Sequence, residues 1–380
     1  MSSMVESAVF SFNHPILPSF NTCPPFLYSH TSHIPKFKTL NNVTKSFRIR
    51  AVVMGSFSLT KDQTVGARSA DNCGGKHKAG RPKRVFFLDV NPLCYKGSTP
   101  SLRAFAHWVS LFFAQVSVSD PVIAVIDGER GNEYRRQILP SYKANRRKFV
   151  QPLSALQTCG KSSTGKHQLI TDVLRNCNVP VVRIESHEAD DVVATLVGQV
   201  LERGYRVVIA SPDKDFKQLI SEDVQIVMPI PELDRWSFYT LKHYVAQYNC
   251  DPHSDLSLRC IMGDEVDGVP GIQQMVPGFG RKTAIKLLKK HGSLENLLSV
   301  AAVRTIGKPY AQEALLNYAD YLRKNYEVLA LRRDVNVHLQ EEWLSHRDVN
   351  NDEKSLANFI ELLGETTWNM SRQSRSSCNE

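Results

Sequence analysis

The sequence contains no Cys-x-x-Cys pair and no apolar run long enough to span a membrane. Its eight cysteines are scattered along 380 residues, which argues against a zinc site and a disulfide framework and suits a reducing compartment. No apolar core of secretory length follows a basic start, so the pattern of a secretory signal peptide is missing. We therefore expect no membrane among the partners of this protein.

Acidic residues are nearly missing from the start of the chain, where Glu6 is the only one before Asp62. Ser and Thr are abundant there, and arginine is absent before Arg48. This composition is typical of an organellar transit peptide, and of the plastid type rather than the Arg-rich mitochondrial type. The alternative is a disordered basic tail without a targeting function. We predict a transit peptide and linker over 1–83, with the plastid favoured and the mitochondrion or dual targeting as alternatives.

The charge balance gives the first positive indication of a partner. The formal net charge is +9 and the pI is near 9.1, which favours a polyanionic partner. Hydrophobic residues make up 42% and charged residues 22%, as in an ordinary globular protein. The length allows one large domain or two modest ones.

Apolar runs at 84–89, 121–127, 179–184 and 206–211 have the pattern of buried strands. They alternate with helical patterns such as 102–115, which favours a mainly parallel sheet. Sites in open sheets of this kind lie beyond the carboxyl ends of the strands. The acids that follow the four runs would meet there: Asp89, Asp127, Glu188, Asp190, Asp191, Asp213 and Asp215.

These seven carboxylates cannot all be buried and ionised at one sheet edge without cations. Oxygen ligands without Cys or His partners select Mg²⁺ or Mn²⁺ rather than zinc. Such a site suits two-metal phosphoryl chemistry. The stretch 185–191 opens the next helical pattern, with Ser186 as its N-cap. The alternative for its acids is that they merely complement the helix dipole.

Two later segments are basic. Between 128 and 150, cations alternate with aromatics directly after a site acid, which favours phosphate contacts and base stacking over an ordinary solvated face. The loop 160–167 resembles a phosphate-binding loop, but His167 replaces the required hydroxyl residue, so we reject it as a nucleotide site. Beyond it, 261–271 adds Asp264 and Asp267 in a Gly/Pro-rich turn, and 277–290 is a Gly hairpin opening a basic helix suited to phosphate.

Assembled in this order, the motifs resemble the 5′-nucleases of the flap endonuclease superfamily, and most closely the 5′→3′ exonuclease domain of bacterial DNA polymerase I. The matching segments are Phe87-Leu-Asp89, Tyr134-Arg135 through Tyr142-Lys143 to Arg146, Glu188-Ala-Asp-Asp-Val192, Asp213-Lys-Asp215, Met262-Gly-Asp264 with Asp267, and Pro277-Gly-Phe-Gly-Arg-Lys-Thr-Ala284.

The resemblance implies an α/β fold with a PIN-like, mainly parallel sheet, flanking helices and a helical arch that threads 5′ single strands. A C-terminal helix–two-turn–helix (helix-hairpin-helix) domain would grip duplex. The implied boundaries are 84–250 for the catalytic domain and 251–345 for the DNA-binding domain. Because the end of the chain is polar, we expect a tail over 346–380 and no polymerase domain.

The resemblance also implies site residues and cofactors. Two Mg²⁺ or Mn²⁺ ions would be held by Asp89, Asp127, Glu188, Asp190, Asp191, Asp213, Asp215, Asp264 and Asp267, and K⁺ would bind at the helix–two-turn–helix. Lys143 and Arg135 would act on the scissile phosphate. The implied DNA-binding residues are Tyr142, Arg146, Gly278, Gly280, Arg281, Lys282, Thr283 and Lys286.

Some positions depart from the family pattern. The differing residues around the acids are Pro212, Glu265, Val266 and Gly268. The segments 160–166 and 272–275 look like insertions, which leave the substrate geometry open. Because all nine carboxylates are kept, we expect a monomeric 5′→3′ exonuclease or 5′-flap endonuclease of organellar replication or repair. Its partners would be DNA with 5′ ends, flaps or nicks, or RNA primers; the alternatives are a non-catalytic structured-DNA binder and a PIN-type ribonuclease.

Overall fold

The computed structural model describes residues 83–144 and 164–376, with side chains described up to residue 144 and over 167–364. All of these belong to one compact unit of the chain, Lys76–Glu380. The predicted transit peptide, most of the loop at 160–166, and Arg146 lie outside the described residues.

The main sheet has six strands in the order β5-β4-β1-β6-β7-β8, parallel throughout except that β8 runs antiparallel to β7. This confirms the predicted mainly parallel sheet. The strands are β1 (Arg84–Asp89), β2 (Tyr95–Lys96), β3 (Thr99–Pro100), β4 (Val122–Ile126), β5 (Val181–Arg183), β6 (Arg206–Ala210), β7 (Val224–Ile230), β8 (Arg235–Tyr239), β9 (Gly263–Asp264) and β10 (Val269–Pro270).

Helices cover both faces of the sheet and form a further layer after β8. They are α1 (Val90–Leu93), α2 (Leu102–Phe112), α3 (Glu133–Ile138), α4 (Thr164–Asn176), α5 (Ala189–Glu202), α6 (Leu241–Tyr248), α7 (Asp255–Met262), α8 (Arg281–His291), α9 (Leu294–Val303), α10 (Pro309–Asn317), α11 (Ala319–Leu329) and α12 (Asp352–Ser376).

One face of the sheet is covered by α2, which lies between β1 and β4 in the chain and corresponds to the helical pattern predicted at 102–115. Ser101 caps it by accepting a hydrogen bond from the Ala104 N–H at 3.1 Å. Phe86 and Leu88 of β1 point into this core, while their neighbours Val85 and Phe87 point into the core on the other face. Burial on both faces explains why β1 is a continuous apolar run rather than an alternating one.

The segment expected as a C-terminal tail packs into the first core instead. Leu356, Phe359 and Leu363 of α12 are buried against it, and the rings of Phe105 and Phe359 meet edge to face at 6.0 Å. Arg347 is also buried, and donates to the carbonyl oxygens of Cys177 and Val118 at 2.9 Å each. Over the part of α12 whose side chains are described, the buried apolar positions recur every three or four residues and form one face, while Ile360 and Leu362 are exposed.

The opposite face of the sheet is covered by α5, most of whose first half is buried. Its N-cap is Glu188 rather than the predicted Ser186, and the Glu188 side chain makes no capping bond. Within the described ranges, no helix is both long and apolar enough to cross a membrane.

The helices after β8 enclose a third core around Phe279, Leu288, Leu297 and Leu322. Between α7 and α8 the chain forms the short hairpin β9–β10 and a 3₁₀ turn, Ile272–Gln274. Tyr142, from the segment after α3, also belongs to this core. The helical layer is therefore packed directly against the site edge of the sheet.

Candidate active site

The first acidic group forms where β1 and β4 end. Asp89 is 4% exposed, and its Oδ2 accepts a hydrogen bond from Ser211 Oγ, just after β6, at 2.7 Å. Asp127 follows β4, and its Oδ1 accepts a hydrogen bond from the Ala189 N–H at the start of α5, at 2.7 Å. The parallel register thus brings the acids that follow β1 and β4 to one edge, beside the end of β6 and the start of α5, as the strand pattern predicted.

The start of α5 adds Glu188, Asp190 and Asp191, which are all buried. Lys143 is buried beside them and its Nζ forms an ion pair with Glu188 Oε1. The Tyr142 hydroxyl donates to Glu188 Oε2 at 3.0 Å. Two residues of the predicted arch therefore contact the acids directly.

Electrostatics in this group are unbalanced. Burial and the neighbouring Asp127 carboxylate raise the pKa of Asp89, while burial and Glu188 raise the pKa of Asp190. Burial alone would also raise the pKa of Glu188, but the charges of Lys143 and Arg135 lower that pKa to about 2. The charge of Glu188 is thus neutralised by the chain's own cations, whereas the buried carboxylates of Asp89 and Asp190 would be stabilised in their charged form by a metal ion.

The second acidic group lies after β6 and on the β9–β10 hairpin. Carboxylate oxygens of Asp215, Asp264 and Asp267 all lie within 4.8 Å of one another, and all three residues are buried. Asp213 Oδ1 accepts a hydrogen bond from the Asp215 N–H at 2.9 Å, and burial together with the Asp215 charge raises the pKa of Asp213 to about 7. The Asp213 charge also raises the pKa of Asp89, so the two groups are neighbours.

The donor set fits a hard divalent cation. The three converging side chains offer only carboxylate oxygens, which suit Mg²⁺ or Mn²⁺ better than a thiophilic or imidazole-binding metal. The residues that could hold ions are Asp89, Asp127, Glu188 and Asp190 in the first group, and Asp213, Asp215, Asp264 and Asp267 in the second.

The predicted hairpin and basic helix are present at the other end of α7. Gly278 has φ +92°, a left-handed conformation that favours glycine, and Gly280 is the N-cap of α8. Arg281, Lys282 and Lys286 are exposed, while Thr283 is half-buried with its hydroxyl 3.3 Å from the Tyr310 hydroxyl. Beside this helix lies a groove of about 610 Å³ whose lining includes Tyr248, Lys282, Lys286, Lys289 and Lys290.

Family models decide the relationship. The model of the 5′-3′ exonuclease N-terminal, resolvase-like domain matches residues 84–249, and the model of the 5′-3′ exonuclease C-terminal SAM fold matches residues 250–352. The chain belongs to the 5′-3′ exonuclease family. Its acidic sheet edge lies in the first match, and the β9–β10 hairpin and basic helix lie in the second.

Individual relatives of this exonuclease-family chain agree. A 5′-3′ exonuclease of Aquifex aeolicus is 28% identical over 67% of this chain and 80% of its own length. DNA polymerase I of Bacillus caldotenax is 27% identical over 70% of this chain, but only 28% of that polymerase is spanned. Among solved structures, T5 5′-exonuclease with bound divalent zinc matches with a TM-score of 0.53 and 20% identity, over 73% of this chain and 99% of the T5 chain. This last similarity concerns the fold alone.

Arg135 does not have the role expected for it. It is 3% exposed, and its Nη1 donates to Glu188 Oε2 at 2.7 Å and to Asp191 Oδ2 at 2.8 Å. Its Nη2 donates to Asp191 Oδ1 at 2.6 Å and to the Ala330 carbonyl at 3.0 Å, and its Nε donates to the Val328 carbonyl at 2.9 Å. All five N–H groups of the guanidinium are used. A direct contact with a substrate phosphate does not fit this geometry; Arg135 ties the start of α5 to the end of α11.

Asp191 differs from Glu188 and Asp264, whose two oxygens are each shared between a lysine and an arginine, because a single guanidinium holds both of its oxygens. Both of its carboxylate oxygens are held by Arg135, and its Oδ1 also accepts the Arg332 N–H at 2.8 Å. The structure therefore makes Asp191 the bidentate partner of Arg135, which it orients. Its sequence position, next to Asp190 on a helix, carried no sign of this difference.

Tyr142 was expected to bind DNA, but it is 2% exposed and its ring lies in the third core. Lys143 next to it has φ +50°, which is uncommon for a residue with a side chain. Its N–H donates to the Asp267 carbonyl at 2.7 Å. Gly268 allows this close packing, because a Cβ there would lie 2.3 Å from the Ser141 carbonyl oxygen. The start of the predicted arch is thus fixed to the acidic hairpin.

Sequence reasoning missed the cations of the second acidic group. Lys214 Nζ donates to Asp264 Oδ1 at 2.6 Å, and Arg259 of α7 donates to both Asp215 and Asp264. Lys214 was visible between two site acids. Arg259 carried no signal, because a single arginine in a short amphipathic helix usually lies on a solvated face.

Proposed function

We propose that this protein is a divalent-metal-dependent 5′→3′ nuclease that hydrolyses DNA phosphodiesters at 5′ ends, flaps or nicks, RNA primers included. The observation that carries the proposal is the convergence of two groups of buried carboxylates at one sheet edge, beside a buried lysine. Membership of the 5′-3′ exonuclease family supports nuclease activity as the general class.

The chain's own residues have separable roles in this proposal. The first group would hold one ion through Asp89, Asp127, Glu188 and Asp190, and the second group would hold another. Two Mg²⁺ ions at these positions would supply an activated water and stabilisation of the leaving oxygen. Burial lowers the pKa of Lys143, but the charges of Glu188 and the other acidic groups around it together outweigh burial and raise that pKa, so the ammonium stays charged and close to where a phosphate would bind.

DNA binding is proposed for the hairpin and α8. The T5 D15 flap endonuclease, a fold relative with a TM-score of 0.52, was crystallised with DNA and metal ions. In this chain the N–H groups at the start of α8 and the exposed Arg281, Lys282 and Lys286 suit duplex phosphates, which are bound without reading sequence. We include a K⁺ ion at the turn around Gly278, and a monomer as the working state.

The proposed setting is organellar DNA replication or repair, with the plastid favoured. Its support is the composition of 1–83, where Glu6 is the only acid before Asp62 and Ser and Thr are abundant. A fluorescent fusion carrying residues 1–83 should accumulate in plastids of plant cells, and the fusion without them should not. Cytosolic fluorescence of the full fusion would remove the organellar part of the proposal and leave the nuclease part intact.

The nuclease is tested with purified protein on 5′-flap, nicked and blunt DNA and on a matched RNA flap, with Mg²⁺ and with excess chelator. Cleavage that needs Mg²⁺ and starts at 5′ ends is expected. DNA binding without cleavage in a single-turnover assay would instead favour the non-catalytic binder, and cleavage of the RNA substrate alone would favour the PIN-type ribonuclease.

A further inference from the structure

The guanidinium of Arg259 lies inside the second acidic group. Its Nη2 donates to Asp215 Oδ1 at 2.6 Å and to Asp264 Oδ2 at 2.7 Å, and its side chain is only 12% exposed. These are two of the three residues whose carboxylate oxygens lie within 4.8 Å of one another. A cation that belongs to the chain therefore uses the oxygens that a divalent ion would need.

Arg259 is held less completely than the other buried arginine at the site. Its Nη1 is buried without a hydrogen-bond partner among the described residues, whereas all five N–H groups of Arg135 are used. One turn earlier on α7, Asp255 is 3% exposed, and its Oδ2 is also buried without a partner in the described part of the chain. A buried unpaired donor and a buried unpaired acceptor are both unfavourable.

These two unpaired groups line one groove. A cavity of about 190 Å³ is bordered by Asp255, Arg259 and Asp264, together with Lys214 and Arg281. Asp255 already has one fixed partner, because the Tyr244 hydroxyl donates to its Oδ1 at 2.9 Å. Its other oxygen gives Arg259 an alternative carboxylate within the same groove. The Arg259 side chain thus has two alternative acidic partners, which are the second acidic group and Asp255.

We propose that Arg259 is an internal counterion of the second acidic group, which competes with a divalent ion there and moves to Asp255 when the ion binds. The proposal rests on the proposed function only in that the same carboxylates would hold the ion. A guanidinium cannot give up its proton, so it leaves the oxygens only by moving. Mg²⁺ needs oxygens at about 2.0–2.1 Å, and the bridging Nη2 group occupies one oxygen of Asp215 and one of Asp264.

Lys214 cannot take the same role. It donates to Asp264 Oδ1 at 2.6 Å, but its side chain is 44% exposed and can move into water with little loss. The consequence is an asymmetry between the two groups. The second ion should bind the protein more weakly than the first, because its binding includes the displacement of Arg259.

The test measures Mn²⁺ binding to the full chain without DNA, by the electron paramagnetic resonance signal of free Mn²⁺. The wild type should bind one ion tightly and a second weakly. Arg259→Gln should tighten the weak site by about tenfold or more, the scale on which groups around a metal site change affinity. Arg259→Lys and Lys214→Gln are the matched controls, and each should stay within about threefold of the wild type.

Asp255→Asn supplies an independent test, because it removes the second partner of Arg259 without touching a proposed ion ligand. It should weaken binding of the second ion when Arg259 is present and have no effect in the Arg259→Gln background, a coupling that a double-mutant cycle measures. If Arg259→Gln loses stability without ions, Mn²⁺ should raise its melting temperature more than it raises that of the wild type.

Equal affinities of the wild type for both ions, or an unchanged second affinity in Arg259→Gln, would overturn the counterion proposal. If Arg259→Gln does not fold, the Asp255→Asn result decides alone, and an unchanged second affinity there also overturns it. Because no DNA is present, these outcomes are separate from the nuclease assay. A wild type that binds two unequal ions but cleaves no DNA would contradict the proposed function and support the role of Arg259.

Discussion

Arg135 allows a sharp test of whether a cation next to the acidic site acts on the substrate or on the fold. Replacing Arg135 by Gln removes a charge that both Asp191 oxygens share and removes donors from the Val328 and Ala330 carbonyls. Breaking a buried ion pair by removing one partner costs about 3–5 kcal/mol. Each orphaned carbonyl adds about 1 kcal/mol or more. Glu188 keeps Lys143, so the loss falls mainly on Asp191.

A loss of this size is a large fraction of the roughly 5–15 kcal/mol by which a protein is stable. The measurement is urea unfolding of the wild type and Arg135→Gln. Adding Asp191→Asn to the variant should recover part of the loss, because the unpaired buried charge is then gone. Duplex affinity is measured in parallel at several salt concentrations, under conditions where the variant remains folded.

Arg281→Ala is the control for an arginine that is proposed to contact DNA. Arg281 is exposed, and its guanidinium lies 4.7 Å from the centre of the Tyr248 ring. It should leave the unfolding free energy nearly unchanged and reduce the slope of log affinity against log salt by about 0.9. The reasoning is refuted if Arg135→Gln keeps its stability within about 0.5 kcal/mol, as ordinary surface substitutions do, and loses salt slope instead.

Three further predictions concern the chemistry and the DNA. Removal of divalent ions should abolish cleavage and leave DNA binding measurable, and cleavage in excess chelator would contradict this metal requirement. Asp190→Asn should lower turnover by orders of magnitude. A bulky block on the 5′ end should slow cleavage while a 3′ block should not, and equal sensitivity would count against threading. Changing Arg281, Lys282 and Lys286 together to Ala should reduce the slope of log duplex affinity against log salt by up to about three, at nearly constant turnover. Asp264→Asn should do the reverse, because it should preserve duplex affinity and lose turnover. A triple variant that loses turnover with an unchanged slope would show that α8 does not grip duplex.

The sequence by itself determined the elements whose signals are local. Burial on both faces makes β1 and β4 continuous apolar runs, and an acid directly after a parallel strand must lie at the carboxyl edge of the sheet. The hairpin at Gly278 and Gly280 could likewise be predicted, because the residues that form the left-handed turn and the start of the basic helix are adjacent in the sequence. The sheet edge, its acids and the basic helix could therefore be predicted.

Only the tertiary structure decided which of these groups pair with one another. Arg135 and Tyr142 look like exposed members of a basic segment, yet contacts with residues some 45 to 195 positions away bury both. Arg259 reaches Asp215 across 44 positions, and α12 returns to a sheet that begins more than 250 residues earlier. Local patterns record which side chains prefer burial or charge. The partner that satisfies a buried charge is fixed only when distant segments pack together.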